Sequence, residues 1–253
     1  MIPLQDINTP KRQSFPWVNT GLILANIAVF IKEITLPTTD SNCLVYAYSF
    51  DPAVLANRIA VPSAYVHYCQ HSAFHPPAAW ITIFTAMFLH ASILHIGGNM
   101  LFLYIFGDNV EDRFGHLGYL AFYLACGVAA ALAQTAVIIA TNAGGADIPN
   151  LGASGAIAGV LGAYLLLFPR AKVRTLIFVG ILFFFTTLSA VLVILIWFVL
   201  QLLDGYLTLN AAGAASGGGV AYFAHVGGFL IGVIITLVLK PFLPRETPDY
   251  MIN

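Results

Sequence analysis

A polar or ionisable side chain inside a long apolar run is costly and points to function, and four such residues carry the chemistry of this chain. They are His95 and Asn99 in LHIGGN, Ser154 in LGASGA, and His225 in AHVGG. A serine hydroxyl is a poor nucleophile until a base removes its proton, and an imidazole is the base suited to neutral pH. No Asp or Glu falls within the apolar segments that hold these four residues, short of their far ends, so a serine–histidine dyad is the economical reading. His95 and Asn99, at i and i+4, share one helix face and can donate to an oxyanion beside the Ser154 backbone N–H. A helix beginning at Ser154 aims its free N–H groups and positive dipole end at the same place. Gly152 and Gly155 flank the serine; Gly155 with Gly159, and Gly228 with Gly232, form two G-x-x-x-G patterns that let two helix backbones come close. Taken singly, the glycines read as packing, the histidine as a proton site and the asparagine as interhelical glue; their convergence favours catalysis.

The elements that must position them follow from composition. Of 253 residues, 59% are apolar and 8% charged, against about 25% charged for a soluble domain, and the mean hydropathy is +0.87. A soluble, disordered or nucleic-acid-binding chain is excluded, the last because a net charge of −1 offers no basic field. Six apolar segments read as membrane-spanning helices: Pro16–Leu36, Leu94–Val110, Leu117–Thr141, Ser154–Phe168, Thr175–Leu203 and Val220–Leu239. The second and fourth are short for a core of about 30 Å, so their ends belong inside protein. Spans two, four and six run in the same direction, which brings Ser154, His225, His95 and Asn99 to similar depths. A seventh apolar run, Pro77–Leu89, is read as interfacial or partly re-entrant. With six spans, Lys11, Arg12, Arg113, Arg170, Lys172, Arg174, Lys240 and Arg245 share one side, leaving Arg58 opposite and Lys32 at a span end. By the positive-inside rule both termini are cytoplasmic and the site opens to the other face of a cell membrane.

The expected organisation is a cytoplasmic segment 1–15, a six-span domain 16–241 and a cytoplasmic tail 242–253. The outer loop Pro37–Ile93 is too long for an ordinary connection and is expected to be structured, with a short helix near Pro52–Ala60. Cys43 and Cys69 share that loop and can pair, whereas Cys126 lies in a span and packs as a small hydrophobe. His67, Cys69, His71 and His75 match no usual zinc spacing, so no metal and no cofactor are expected.

These motifs resemble the rhomboid intramembrane serine proteases over about Ala79 to Val238. MFLHASILHIGGNMLFLYIFGDNVEDRFG is similar to the family's H-x4-H-x3-N span with its E-x-R-x-G turn, here His90, His95, Asn99, Glu111, Arg113 and Gly115. LGASGAIAG resembles its nucleophile motif and AHVGGFLIG its histidine span. The resemblance implies an all-α, six-helix bundle with Ser154 as nucleophile, His225 as base, and His95 with Asn99 as oxyanion donors. It implies an interfacial hairpin before span two, and span five with the loop Asp204–Gly219 as a gate, for which Trp197, Phe198 and Leu202 are candidates. It also places His90 at the outer rim, holding water or serving as a helix end. Some members stack an aromatic residue on the histidine from one turn after the serine; here that residue is Ala158. The reaction implied is hydrolysis of a peptide bond in or near a transmembrane segment of a partner protein. A non-catalytic membrane-protein-binding relative would lack the serine or histidine, and a transporter would need an intramembrane carboxylate, of which none is read here.

Overall fold

A bilayer admits only backbones whose polar groups are satisfied internally, and apolar helices packed on one another meet that demand. The computed structural model describes residues 2–7, 13–141, 146–180, 182–210 and 221–243, and it is a predominantly helical membrane bundle. Its helices are α1 (Trp17–Thr35), α2 (Thr38–Tyr48), α3 (Pro52–Leu55), α4 (Ser63–Tyr68), α5 (Ala79–Thr85), α6 (Ile93–Phe102), α7 (Asp108–Phe114), α8 (His116–Thr141), α9 (Ser154–Leu167), α10 (Ala190–Asn210) and α11 (Tyr222–Leu239). α9 packs against both α8 and α11 and buries most of its residues, so the serine-bearing helix belongs to the core.

Among the described residues, four helices are long and apolar enough to cross a membrane: Trp17–Thr35, His116–Thr141, Ala190–Leu207 and Tyr222–Phe242. A fifth is counted if Ala79–Phe88 and Ile93–Phe114, bent by 85° to each other, are taken as one span. The bend separates the run expected to be interfacial from the helix that carries His95 and Asn99. α9, with 14 residues, is about 21 Å long and falls short of the hydrocarbon thickness, so a count of six requires including it.

The expected fifth span, Thr175–Leu203, is corrected. Lys172–Val179 (β2) and Leu182–Ser189 (β3) form an antiparallel hairpin, joined by Ile2–Ile7 (β1) in a sheet of order β1-β2-β3, and helix begins only at Ala190. Val173 and Thr175 are buried between exposed Lys172 and Arg174, an alternation of period two, and the β-branched and aromatic content suits strands. Gly180, at φ +61°, makes the turn. The exposed Phe183, Phe184 and Phe185 are what gave the hairpin the hydropathy of a span.

The long loop between α1 and α6 is structured. Cys43 and Cys69 form a disulfide inside a small cluster with Ala47 and Tyr65, and Asp51 caps α3 by accepting from the Ala53 and Val54 N–H groups. Phe50 and Asn150 exchange backbone hydrogen bonds, which fastens this loop to the segment leading into α9. The expected helix near Pro52–Ala60 is the four-residue α3. Most of the loop expected over Asp204–Gly219 lies outside the described residues, and its first residues belong to α10.

Candidate active site

α9 and α11 cross at their glycines. A Cβ built on Gly228 overlaps the Gly155 carbonyl oxygen, and one on Gly232 overlaps that of Gly159, so only hydrogen at these positions lets the backbones touch. Gly155 itself faces Ala130 of α8. This contact brings Ser154, the first residue of α9, under His225 in the first turn of α11, and Ser154 Oγ lies 2.7 Å from His225 Nε2. His225 is buried and Ser154 half-buried. The Ala224 N–H at the start of α11 is shared between Ala221 O at 3.0 Å and Gln134 Oε1 of α8 at 3.1 Å.

His95 and Asn99 of α6 face the same cavity, about 640 Å³ in volume, which Leu94, Phe102, Leu161, Trp197, Ser154 and His225 also line. Ser92 caps α6 by accepting from the His95 N–H. The Ala91 N–H donates to His95 Nδ1 at 3.4 Å, so a neutral His95 ring carries its proton on Nε2, available as a donor. Gly152 adopts φ +116°, and a Cβ there sits 2.8 Å from the His95 ring, so the position is closed to side chains twice over. Its N–H donates to Ala86 O at 2.8 Å, tying the approach to α9 onto the turn that follows α5.

His90 is corrected from a rim position to a buried one. Its Nε2 accepts from Asn99 Nδ2 at 2.9 Å, and its backbone N–H donates to the Glu33 carboxylate at 3.3 Å. The asparagine amide keeps a second N–H to offer the cavity. Glu33, near the end of α1, is itself buried, which corrects the expectation that no carboxylate lies in the spans. Of the gate candidates, Trp197 lines the cavity with its ring 5.7 Å from that of His225. Phe198 stacks on Phe229 of α11 at 4.2 Å, and Leu202 stands on the exposed side of α10, away from the cavity.

Sequence reasoning passed over Gln201 and Asn19, and read Glu111 only as part of the E-x-R-x-G turn. Gln201 of α10 places Oε1 2.6 Å from His225 Nδ1; as a polar residue in an apolar run four positions after Trp197, it carried the signal that selected the others. Glu111 accepts from the Val18 and Asn19 N–H groups at the start of α1. Asn19 in turn donates to Leu103 O, in a wide π turn at Leu103–Gly107 between α6 and α7. Between α1 and α6, His75 bonds Tyr65 at 3.1 Å and Cys69 is held in the disulfide.

The family model described as Rhomboid domain matches residues 77–242. The chain is 32% identical to rhomboid protein 1, mitochondrial, of Saccharomyces cerevisiae, over 61% of this chain and 40% of that protein. It is 32% identical to rhomboid-like protein 11, chloroplastic, of Arabidopsis thaliana, over 70% of this chain and 58% of that protein. RHOMBOID-like protein 1 of the same plant is 27% identical over 95% of this chain and 57% of its own length. The chain therefore spans about two to three fifths of the length of these relatives.

Proposed function

Because the chain belongs to the rhomboid family, we propose that it is an intramembrane serine endopeptidase whose dyad is Ser154 and His225. The observation that carries this reading is the 2.7 Å hydrogen bond from Ser154 Oγ to His225 Nε2 at the wall of a cavity also lined by His95 and Asn99. His225 Nε2 takes the Ser154 proton as Oγ attacks the scissile carbonyl carbon. The oxyanion that forms is met by Asn99 Nδ2, His95 Nε2–H and the Ser154 N–H at the positive end of α9. The intermediate then collapses, the imidazolium protonates the leaving amine, and water repeats the sequence on the acyl-enzyme. A helical substrate hides its carbonyls in its own hydrogen bonds, so the substrate is a transmembrane protein whose segment unwinds locally, with a small side chain at the cleaved position.

Orientation belongs to the same proposal. A six-span reading of the sequence puts eight of the ten basic residues on one side, and the Cys43–Cys69 disulfide lies in the loop read as facing the oxidising side. Both termini are then cytoplasmic, in a cell membrane, with the cavity open to the opposite face.

The test uses purified protein in detergent with a panel of tagged single-span proteins. Wild type cleaves at least one of them, while Ser154→Ala and His225→Ala each abolish cleavage and remain folded. The double variant is no worse than either single one, since groups acting as a unit are non-additive. Substantial cleavage by Ser154→Ala would end the nucleophile assignment.

A further inference from the structure

An imidazole is a base toward serine only as the tautomer with Nδ1 protonated and Nε2 free. His225 Nδ1 lies 2.6 Å from Gln201 Oε1, and an amide oxygen can only accept, so this contact holds the proton on Nδ1 and turns the Nε2 lone pair toward Ser154. Trp197, one turn earlier on the same face of α10, sets its indole 5.7 Å from the imidazole at an interplanar angle of 37°. On α9, the residue one turn past Ser154 is Ala158, a buried methyl with nothing to offer the ring. Both the hydrogen-bond acceptor and the aromatic neighbour of His225 therefore come from α10.

Resting on the protease reading above, we propose that Gln201 is the positioning residue for His225, completing a Ser154–His225–Gln201 triad whose third member is carried by α10. An amide fixes the tautomer without burying a charge beside an apolar helix pair. The placement has a consequence for α10 as a whole. Leu195, Val199 and Leu202 are exposed on its outer side, while Trp197, Phe198 and Gln201 make its contacts with α11. Tilting α10 away from α11 parts Gln201 from His225 and leaves Nδ1 without its acceptor, so the triad is complete only while α10 is seated.

The experiment measures steady-state cleavage of a tagged single-span substrate, together with fluorophosphonate labelling of Ser154 in the same preparations. Gln201→Met, close in shape and without an acceptor for N–H, lowers kcat by about 10- to 1000-fold with KM within about twofold, and labelling slows in parallel. Gln201→Glu, of the same length and able only to accept when ionised, recovers most of that loss. A Gln201→Met enzyme with wild-type kcat overturns the proposal, as does a loss shared equally by the Met and Glu variants, whether through misfolding or otherwise. A rise in KM with kcat intact also overturns it. Cleavage surviving in Ser154→Ala removes the protease reading itself; a dead Ser154→Ala beside a fully active Gln201→Met removes the role of Gln201 alone.

Discussion

Alanine at Gly228 tests whether the contact between α9 and α11 sets the distance from Ser154 to His225. Gly228 lies three residues past His225, and a Cβ there overlaps the Gly155 carbonyl oxygen and sits 2.9 Å from its carbon. Both are backbone atoms of α9, so neither can rotate away. Carbon atoms in ordinary contact need about 3.5–4.0 Å, so the two helices must part by about 1 Å at this level. Added to the present 2.7 Å between Ser154 Oγ and His225 Nε2, that takes the pair beyond hydrogen-bonding range. A misplacement of about 1 Å at a reacting centre costs about 100-fold in rate, and overpacking of this kind about 1–3 kcal/mol in stability. The assay is cleavage of a tagged single-span substrate in detergent, with the thermal midpoint read on the same samples. Gly21→Ala is the control: nothing lies within 4 Å of a Cβ there, so the same substitution leaves the rate unchanged and gains up to about 1 kcal/mol from helix propensity. Gly228→Ala cleaving at the wild-type rate with an unshifted midpoint would refute the argument that the glycine contact gathers the site.

Two further outcomes follow from the site and its setting. Asn99→Ala lowers kcat by about 10- to 1000-fold with little change in KM, and His90→Ala, which frees the Asn99 amide to rotate, lowers it less and adds nothing to Asn99→Ala; strictly additive losses in steady-state kinetics would show that His90 acts elsewhere. On a Cys126→Ala background that keeps the disulfide, an impermeant thiol reagent modifies a cysteine at exposed Asn42 in intact cells and one at exposed Arg170 only after permeabilisation; labelling of the Arg170 probe from outside would reverse the orientation.

The site was legible because the membrane makes polar residues scarce. Ser154, His225, His95 and Asn99 stood out against apolar runs, and helical spacing alone put His95 and Asn99 on one face. The glycine pairs could be read the same way, since small residues four apart have one use in a helix interface. The hairpin at Lys172–Ser189 was not legible by hydropathy, because its exposed phenylalanines weigh as heavily as lipid-facing leucines. Its signals were Lys172 and Arg174 alternating with Val173 and Thr175, and Gly180 between two β-branched and aromatic stretches. Gln201 and Glu33 went unread for a different reason. Their partners, His225 Nδ1 and the His90 N–H, lie 24 and 57 residues away, and sequence periodicity reports nothing about contacts between elements.

The role of α1 shows how such contacts govern the site from a distance. α1 contributes no residue to the cavity lining, yet it is hydrogen-bonded at both ends to the segment that carries the oxyanion pair. At its start, Glu111 receives the Val18 and Asn19 N–H groups, Asn19 donates to Leu103 O, and the Tyr119 hydroxyl closes the network on Asn19 Oδ1 at 2.8 Å. The π turn at Leu103–Gly107 widens the helix where Asn19 inserts, which is how a side chain enters the backbone ladder of a neighbour. Near its other end, Glu33 accepts from the His90 N–H, and the His90 ring accepts from Asn99. Apolar packing against lipid or Leu side chains is tolerant of sliding, because one methyl replaces another at little cost. A buried hydrogen bond has one partner and one geometry, and breaking it strands a polar atom where no water can reach. Fixing the helical run Ile93–Phe114 at two points by such bonds therefore sets its depth and rotation more sharply than its apolar face can. That is the constraint a short helix needs if His95 and Asn99 are to meet a group developing beside Ser154.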